Sequence, residues 1–172
     1  IPSRALNELQ RLLASGEEAS LCLAGDRATF TVGQATLSTS LLQIEFPNYR
    51  QLIQPNYPNS LTTAREPLLE AIRRCRILAR ETTPVRLEMT ATSLKLIVVT
   101  QDVGNTVEEL DATMVGSDIT VGFNPEYLAA GIEAVSGDEI TIQTTDPIKP
   151  AVLRGVGAPD YLYLVMPQRL TN

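Results

Sequence analysis

No histidine occurs among the 172 residues. That removes the imidazole base, the Ser–His and Cys–His nucleophile pairs, and every histidine-containing metal site. Two cysteines, Cys22 and Cys75, cannot build a four-thiolate zinc centre. So far apart in the chain they make no disulfide framework either, so both are expected to be reduced thiols of a cytoplasmic protein. Cys75 falls on an apolar helical stripe and reads as a small core residue rather than a nucleophile. Carboxylate pairs stand at Glu17-Glu18, Glu108-Glu109 and Asp138-Glu139. Neighbours on a strand point to opposite faces, so none of these pairs chelates a divalent cation by itself. Gly155 and Gly157 lack the third glycine and the following helix of a dinucleotide loop. Catalysis finds no foothold, and no metal or cofactor is expected.

Two patterns remain. Arg73, Arg76 and Arg80 recur three and four apart, opposite the apolar stripe of their helix, with Arg74 beside them; Arg4 and Arg11 lie two turns apart on another helix. Guanidinium groups so spaced suit phosphate oxygens, and the same spacing also describes a solvated helix face. No aromatic residue interleaves them, so stacking of a single strand is not supported and sequence-neutral backbone contact is what the pattern allows. The second pattern is the tail, in which an alternating strand from Tyr161 breaks at Pro167 and ends on Gln168-Arg169-Leu170. Met166 and Leu170 either close a core or line a groove for several peptide partners, because a thioether repacks easily.

Helices must position the arginines and strands the tail. Apolar residues at 6, 9 and 13 predict a helix over 3–14; those at 68, 72, 75 and 79 predict one over 66–80; Asn124 with Pro125 opens a third over 124–135. Strands are predicted over 19–24, 28–32, 34–43, 85–91, 94–100, 107–115, 118–123, 139–145, 151–154 and 161–165. Prolines 47, 55 and 58 make 46–59 an extended connector and the domain boundary. A helix followed by a strand meander thus recurs three times. The second and third units pair into one domain, whereas the first lacks a mate, so further sequence ahead of Ile1 is expected. The fold class is α+β, and 172 residues suffice to bury about 70% of the unfolded chain's surface. No apolar run reaches the roughly 20 residues of a membrane span. Net charge is −6, which by itself argues against a nucleic-acid partner. Its distribution says more: residues 1–55 carry −1, residues 56–83 carry +2 and residues 84–172 carry −7.

The stretches Phe46-Pro47-Asn48-Tyr49-Arg50, Gly122-Phe123-Asn124-Pro125-Glu126-Tyr127-Leu128, Thr145-Asp146-Pro147 and Tyr163-Leu-Val-Met-Pro-Gln-Arg-Leu170 together resemble the bacterial sliding clamp family, the beta subunits of DNA polymerase III. The resemblance implies the DNA-clamp fold, with residues 1–55 as the second half of a middle domain and 56–172 as a C-terminal domain. It implies a processivity factor whose homodimer closes into a ring around duplex DNA, with Arg4, Arg11, Arg73, Arg76 and Arg80 facing the phosphates. It further implies a groove for linear peptides of polymerases, the clamp loader and repair proteins. Carried over position by position, that groove comprises Pro47, Gln51, Leu52, Asn124 and Tyr127, then Ile148, Pro150 and Leu164, and finally Met166, Pro167, Gln168, Arg169 and Leu170. Ring closure would use Ile77 and Leu78 with the acidic strand positions Glu108, Glu109 and Asp111. The residues alone also allow a stand-alone α+β interaction module with merely solvated arginines.

Overall fold

The computed structural model describes residues 1–15, 18–79, 83–100 and 103–170. The chain forms two compact units, Ile1–Pro47 and Asn48–Asn172. In the first, helix α1 (Ser3–Leu12) precedes a three-stranded antiparallel meander, β1 (Ala19–Ala24), β2 (Arg27–Val32) and β3 (Ala35–Ser40). Its two hairpins turn on Gly25 and Gly33, whose φ values of 56° and 55° suit tight two-residue loops. Ala28, Phe30 and Val32 are buried along one face of β2. The expected apolar stripe of α1 is not: Ala5 is buried, Leu6 is exposed, and Leu9, Leu12 and Leu13 are half-buried. Three short strands offer one helix too little apolar surface, and Leu21 and Leu23 on β1 are themselves exposed.

The second unit has one nine-stranded antiparallel sheet with two helices. Its elements in order are β4 (Asn59–Ala64), α2 (Arg65–Leu78), β5 (Val85–Met89), β6 (Ser93–Thr100), β7 (Gly104–Val115), β8 (Ile119–Phe123), α3 (Pro125–Ala134), β9 (Glu139–Thr144), β10 (Ala151–Gly155), β11 (Ala158–Val165) and β12 (Pro167–Gln168). The strand order is β11-β10-β9-β4-β7-β6-β5-β8-β12. Two helix-plus-meander units are therefore interlocked. The strand entering each helix pairs with the other unit's meander, β4 with β9 and β8 with β5. Neither unit could bury its sheet alone, which is why the pair is one domain.

Strand β4 begins on the last residue of the expected connector and continues through a stretch, 60–64, for which the sequence predicted no element. Its polar composition hides it: Asn59, Leu61 and Thr63 alternate inward, and hydrogen bonds satisfy the two polar side chains. Asn59 Oδ1 accepts from the Ser117 N–H at 3.0 Å, and Thr63 Oγ1 donates to the Asp111 carbonyl at 2.8 Å. Also unforeseen were the short β12 and a 3-10 turn at Tyr49–Leu52.

The helices follow the sequence more closely. Leu68, Ile72 and Cys75 are fully buried on α2 with Leu69 and Ala71, and Ala79 is half-buried. Asn124 caps α3, its Oδ1 accepting from the Glu126 and Tyr127 N–H groups at 2.8 and 3.3 Å, with Pro125 at the first position. Gly131 lets α3 approach β11, because a Cβ there would meet the Tyr163 ring. None of the described helices is long and apolar enough to cross a membrane.

Candidate functional site

Helix α2 buries one face, so its arginines stand on the other. Arg73, Arg74 and Arg76 are all exposed; Arg80 lies outside the described residues. They are not free cations. Arg73 donates to Glu70 at 2.7 Å and to Glu133 at 2.9 Å, and Arg76 pairs with Glu126. Arg74 points elsewhere, its guanidinium forking onto both carboxylate oxygens of Glu108 on β7 at 2.8 and 2.9 Å. These bonds hold Glu108 below the usual carboxylate range and raise the Arg73 and Arg74 guanidinium pKa values further. Glu126 and Glu133 belong to α3, which packs beside α2. Division of charge along the chain assigned them to the acidic remainder; folding brings them to the arginines. In the first unit Arg4 is exposed, and Arg11 pairs with Glu8 one turn away at 2.7 Å.

Carboxylates at other sites do not gather. Among the described residues no group of three or more histidine, cysteine or acidic side chains could hold a metal ion. Cys75 is buried, and desolvation pushes its thiol up to about 11, so it is no nucleophile at neutral pH; Cys22 is exposed.

The tail is held against β8 by β12, where Pro167 registers with Phe123 and Gln168 with Gly122. Because Phe123 leads directly into the cap Asn124, this pairing brings the tail beside the start of α3. Asp146 shapes the neighbouring loop: its Oδ1 accepts from the Ile148 and Lys149 N–H groups at 3.0 and 2.9 Å, which keeps its carboxyl below the usual range and leaves Ile148 71% exposed. An open hollow of about 390 Å³ lies here, lined by Pro147, Ile148, Gln168, Arg169 and Leu170. Met166, between β11 and β12, is 58% exposed, and Tyr127, in the first turn of α3, is 62% exposed. Leu164, Pro150 and Pro167 are half-buried, and Gln51 and Leu52 are exposed on the 3-10 turn. Pro47 belongs to the first unit. A larger hollow of about 820 Å³, lined by Tyr57, Gln143 and Arg154 among others, involves none of the residues that the resemblance assigns to a site.

The interface positions separate. Ile77 is 82% exposed, whereas Leu78 packs against the core. Glu108 pairs in register with buried Leu96 and turns to the helix side, where it meets Arg74; Glu109 and Asp111 turn to the opposite face, with Glu109 3.6 Å from Lys95. The acidic strand is thus no single patch, as the two-residue period of a strand requires. Its apolar neighbours Val99, Val103 and Val107 are exposed and were not anticipated. β6 flanks residues 104–111 of β7 on one side, while β4 pairs only with residues 112–115 on the other, so the early part of β7 is a sheet edge among the described residues.

The family profile described as "DNA polymerase III beta subunit, C-terminal domain" matches residues 50–169. A beta sliding clamp from Synechococcus elongatus is 34% identical over 178 aligned residues, covering all of this chain and 48% of that protein. One from Streptomyces coelicolor is 31% identical and is covered to 49%. The chain therefore spans about half the length of the curated relatives it matches. Among solved structures, the pol III beta of Caulobacter crescentus superposes with a TM-score of 0.90 at 26% identity, covering 99% of this chain and 46% of the other. A sliding clamp of Bartonella birtlesii bound to griselimycin gives 0.90 at 28%, with the same coverage.

Proposed function

The chain belongs to the family of DNA polymerase III beta subunits and has the clamp fold; on that premise we propose that it is the C-terminal portion of a sliding clamp, a non-catalytic processivity factor that encircles duplex DNA. Residues 1–55 are then the second half of a middle domain and 56–172 a C-terminal domain. The observation that carries this reading is the pair of interlocked helix-plus-meander units within the span matched by the family profile.

Arg4, Arg11, Arg73 and Arg76, with Arg80 by its position in sequence, face the phosphates. They touch backbone and not base edges, so the contact carries no sequence information and permits movement along the duplex. Acidic residues elsewhere on the domain repel DNA, and screening over about 8 Å at physiological salt lets the two surfaces act separately. The hollow beside Ile148 and the tail docks short peptide motifs of polymerases, the clamp loader and repair proteins. Exposed Ile148 in its lining supports this, and Met166, two residues before Gln168, is exposed as well, so apolar anchorage is offered without a prior rearrangement. The exposed edge of β7 with Ile77 supports ring closure with a second subunit, because an unpaired strand edge takes another strand readily.

The test reverses the charge of Arg73 and Arg76 in the full-length protein. Arg73→Glu with Arg76→Glu should shorten retention on circular duplex while leaving peptide affinity unchanged. Unaltered retention would remove α2 from the DNA-facing surface.

A further inference from the structure

A surface that slides along a polyanion must not grip it, and the ion pairs of α2 bear on how this is achieved. Every arginine described on α2 is paired: Arg65 with Glu66, Arg73 with Glu70 and Glu133, Arg74 with Glu108, Arg76 with Glu126. The described parts of α2 and α3 hold four arginines against Glu66, Glu70, Glu126 and Glu133, so these two helices together carry no net charge. The cross-helix partners run in reverse order, the earlier Arg73 meeting the later Glu133 and the later Arg76 the earlier Glu126. Two guanidinium groups are thereby held by carboxylates of a separate element.

We propose that Glu126 and Glu133 act as a brake on duplex binding, competing with phosphate oxygens for Arg73 and Arg76. This rests on the clamp reading and goes beyond it by naming the groups that keep the contact weak. All four side chains are about half exposed, and ion pairs so exposed are readily broken. A phosphate therefore displaces a carboxylate easily. The displaced carboxylate stays attached to α3 a few ångströms away, where it repels the phosphate and recaptures the arginine. Contacts form and release without a deep minimum, which is what motion along the duplex needs.

The experiment measures the affinity of the full-length protein for a short linear duplex between 50 and 200 mM salt, by fluorescence anisotropy, alongside its melting temperature. Glu126→Gln with Glu133→Gln is compared with wild type and with a charge-matched control, Glu88→Gln with Asp118→Asn, neither of whose residues pairs with Arg73 or Arg76 among the described residues. Each arginine released to a phosphate steepens the logarithmic salt dependence by about 0.9, roughly 3.5-fold in affinity across this fourfold salt range and about twelvefold for two. The proposal expects the double variant to bind more tightly at low salt with that steeper slope, and the control to keep the wild-type slope. An unchanged slope with a lowered melting temperature would make the pairs helix staples and overturn the brake alone, as would an equally steep control. Absence of duplex binding by every variant and by wild type would overturn the brake, while the clamp reading, which expects no lasting hold on DNA with free ends, would be overturned only by a failure of retention on circular duplex.

Discussion

Met166 offers the sharpest test of the peptide groove. It is 58% exposed and stands outside the buried core cluster, so the fold makes little use of its outer half. Full burial of such a side chain stabilises by about 1.5–3 kcal/mol. The fraction left for a ligand to cover therefore corresponds to about 0.9–1.7 kcal/mol, or about five- to fifteen-fold in Kd. Met166→Ala should weaken binding of a labelled peptide of the Gln-x-x-Leu-Phe kind by that factor in an anisotropy titration of the full-length protein. Thermal unfolding should move little, because the core packing around Val165 and Leu153 is untouched. Val115→Ala, at a residue 73% exposed on β7 and outside the groove, controls for loss of surface apolar area in general. A change in Kd below twofold with the fold intact, or an equal effect from Val115→Ala, would refute the assignment of Met166 as an anchor.

Gly131→Ala drives a Cβ into the Tyr163 ring where α3 crosses β11. Overpacking of this kind costs about 1–3 kcal/mol against about 1 kcal/mol gained in helix propensity, and a calorimetric melting temperature lowered by a few degrees is the expected outcome. A higher melting temperature would mean that the ring moves aside freely. Iodoacetamide at pH 8 should label Cys22 alone in the native protein, since burial raises the Cys75 thiol to about 11 and blocks access. Mass spectrometry showing two labels before denaturation would contradict the buried placement of Cys75.

What the sequence disclosed, and what it hid, follows the range of the forces involved. The Asn124-Pro125 cap and the Leu68–Ile72–Cys75 stripe were legible because capping and amphipathicity act within a few residues. β4 was not, because it becomes a central strand only when β7 and β9 flank it and Ser117 and Asp111 satisfy its buried Asn59 and Thr63. The arginine stripe was visible as spacing, yet its cross-helix partners Glu133 and Glu126 lie on α3, about fifty residues or more further on, and no local pattern announces them. Resemblance grouped Glu108 with Glu109 and Asp111, whereas the alternation of a strand divides them. Leu78, which the resemblance grouped with Ile77, packs partly against the core, whereas Ile77 is exposed.

Topology separates a ring from every other duplex-binding protein. The decisive measurement loads the full-length protein onto a nicked circular duplex with the clamp loader and follows it by gel filtration before and after a single restriction cut. The clamp account expects stable co-elution with the circle and prompt release once the DNA has ends, whatever the sequence near the cut. Equal retention on circular and linear duplex, or none on either, would contradict it.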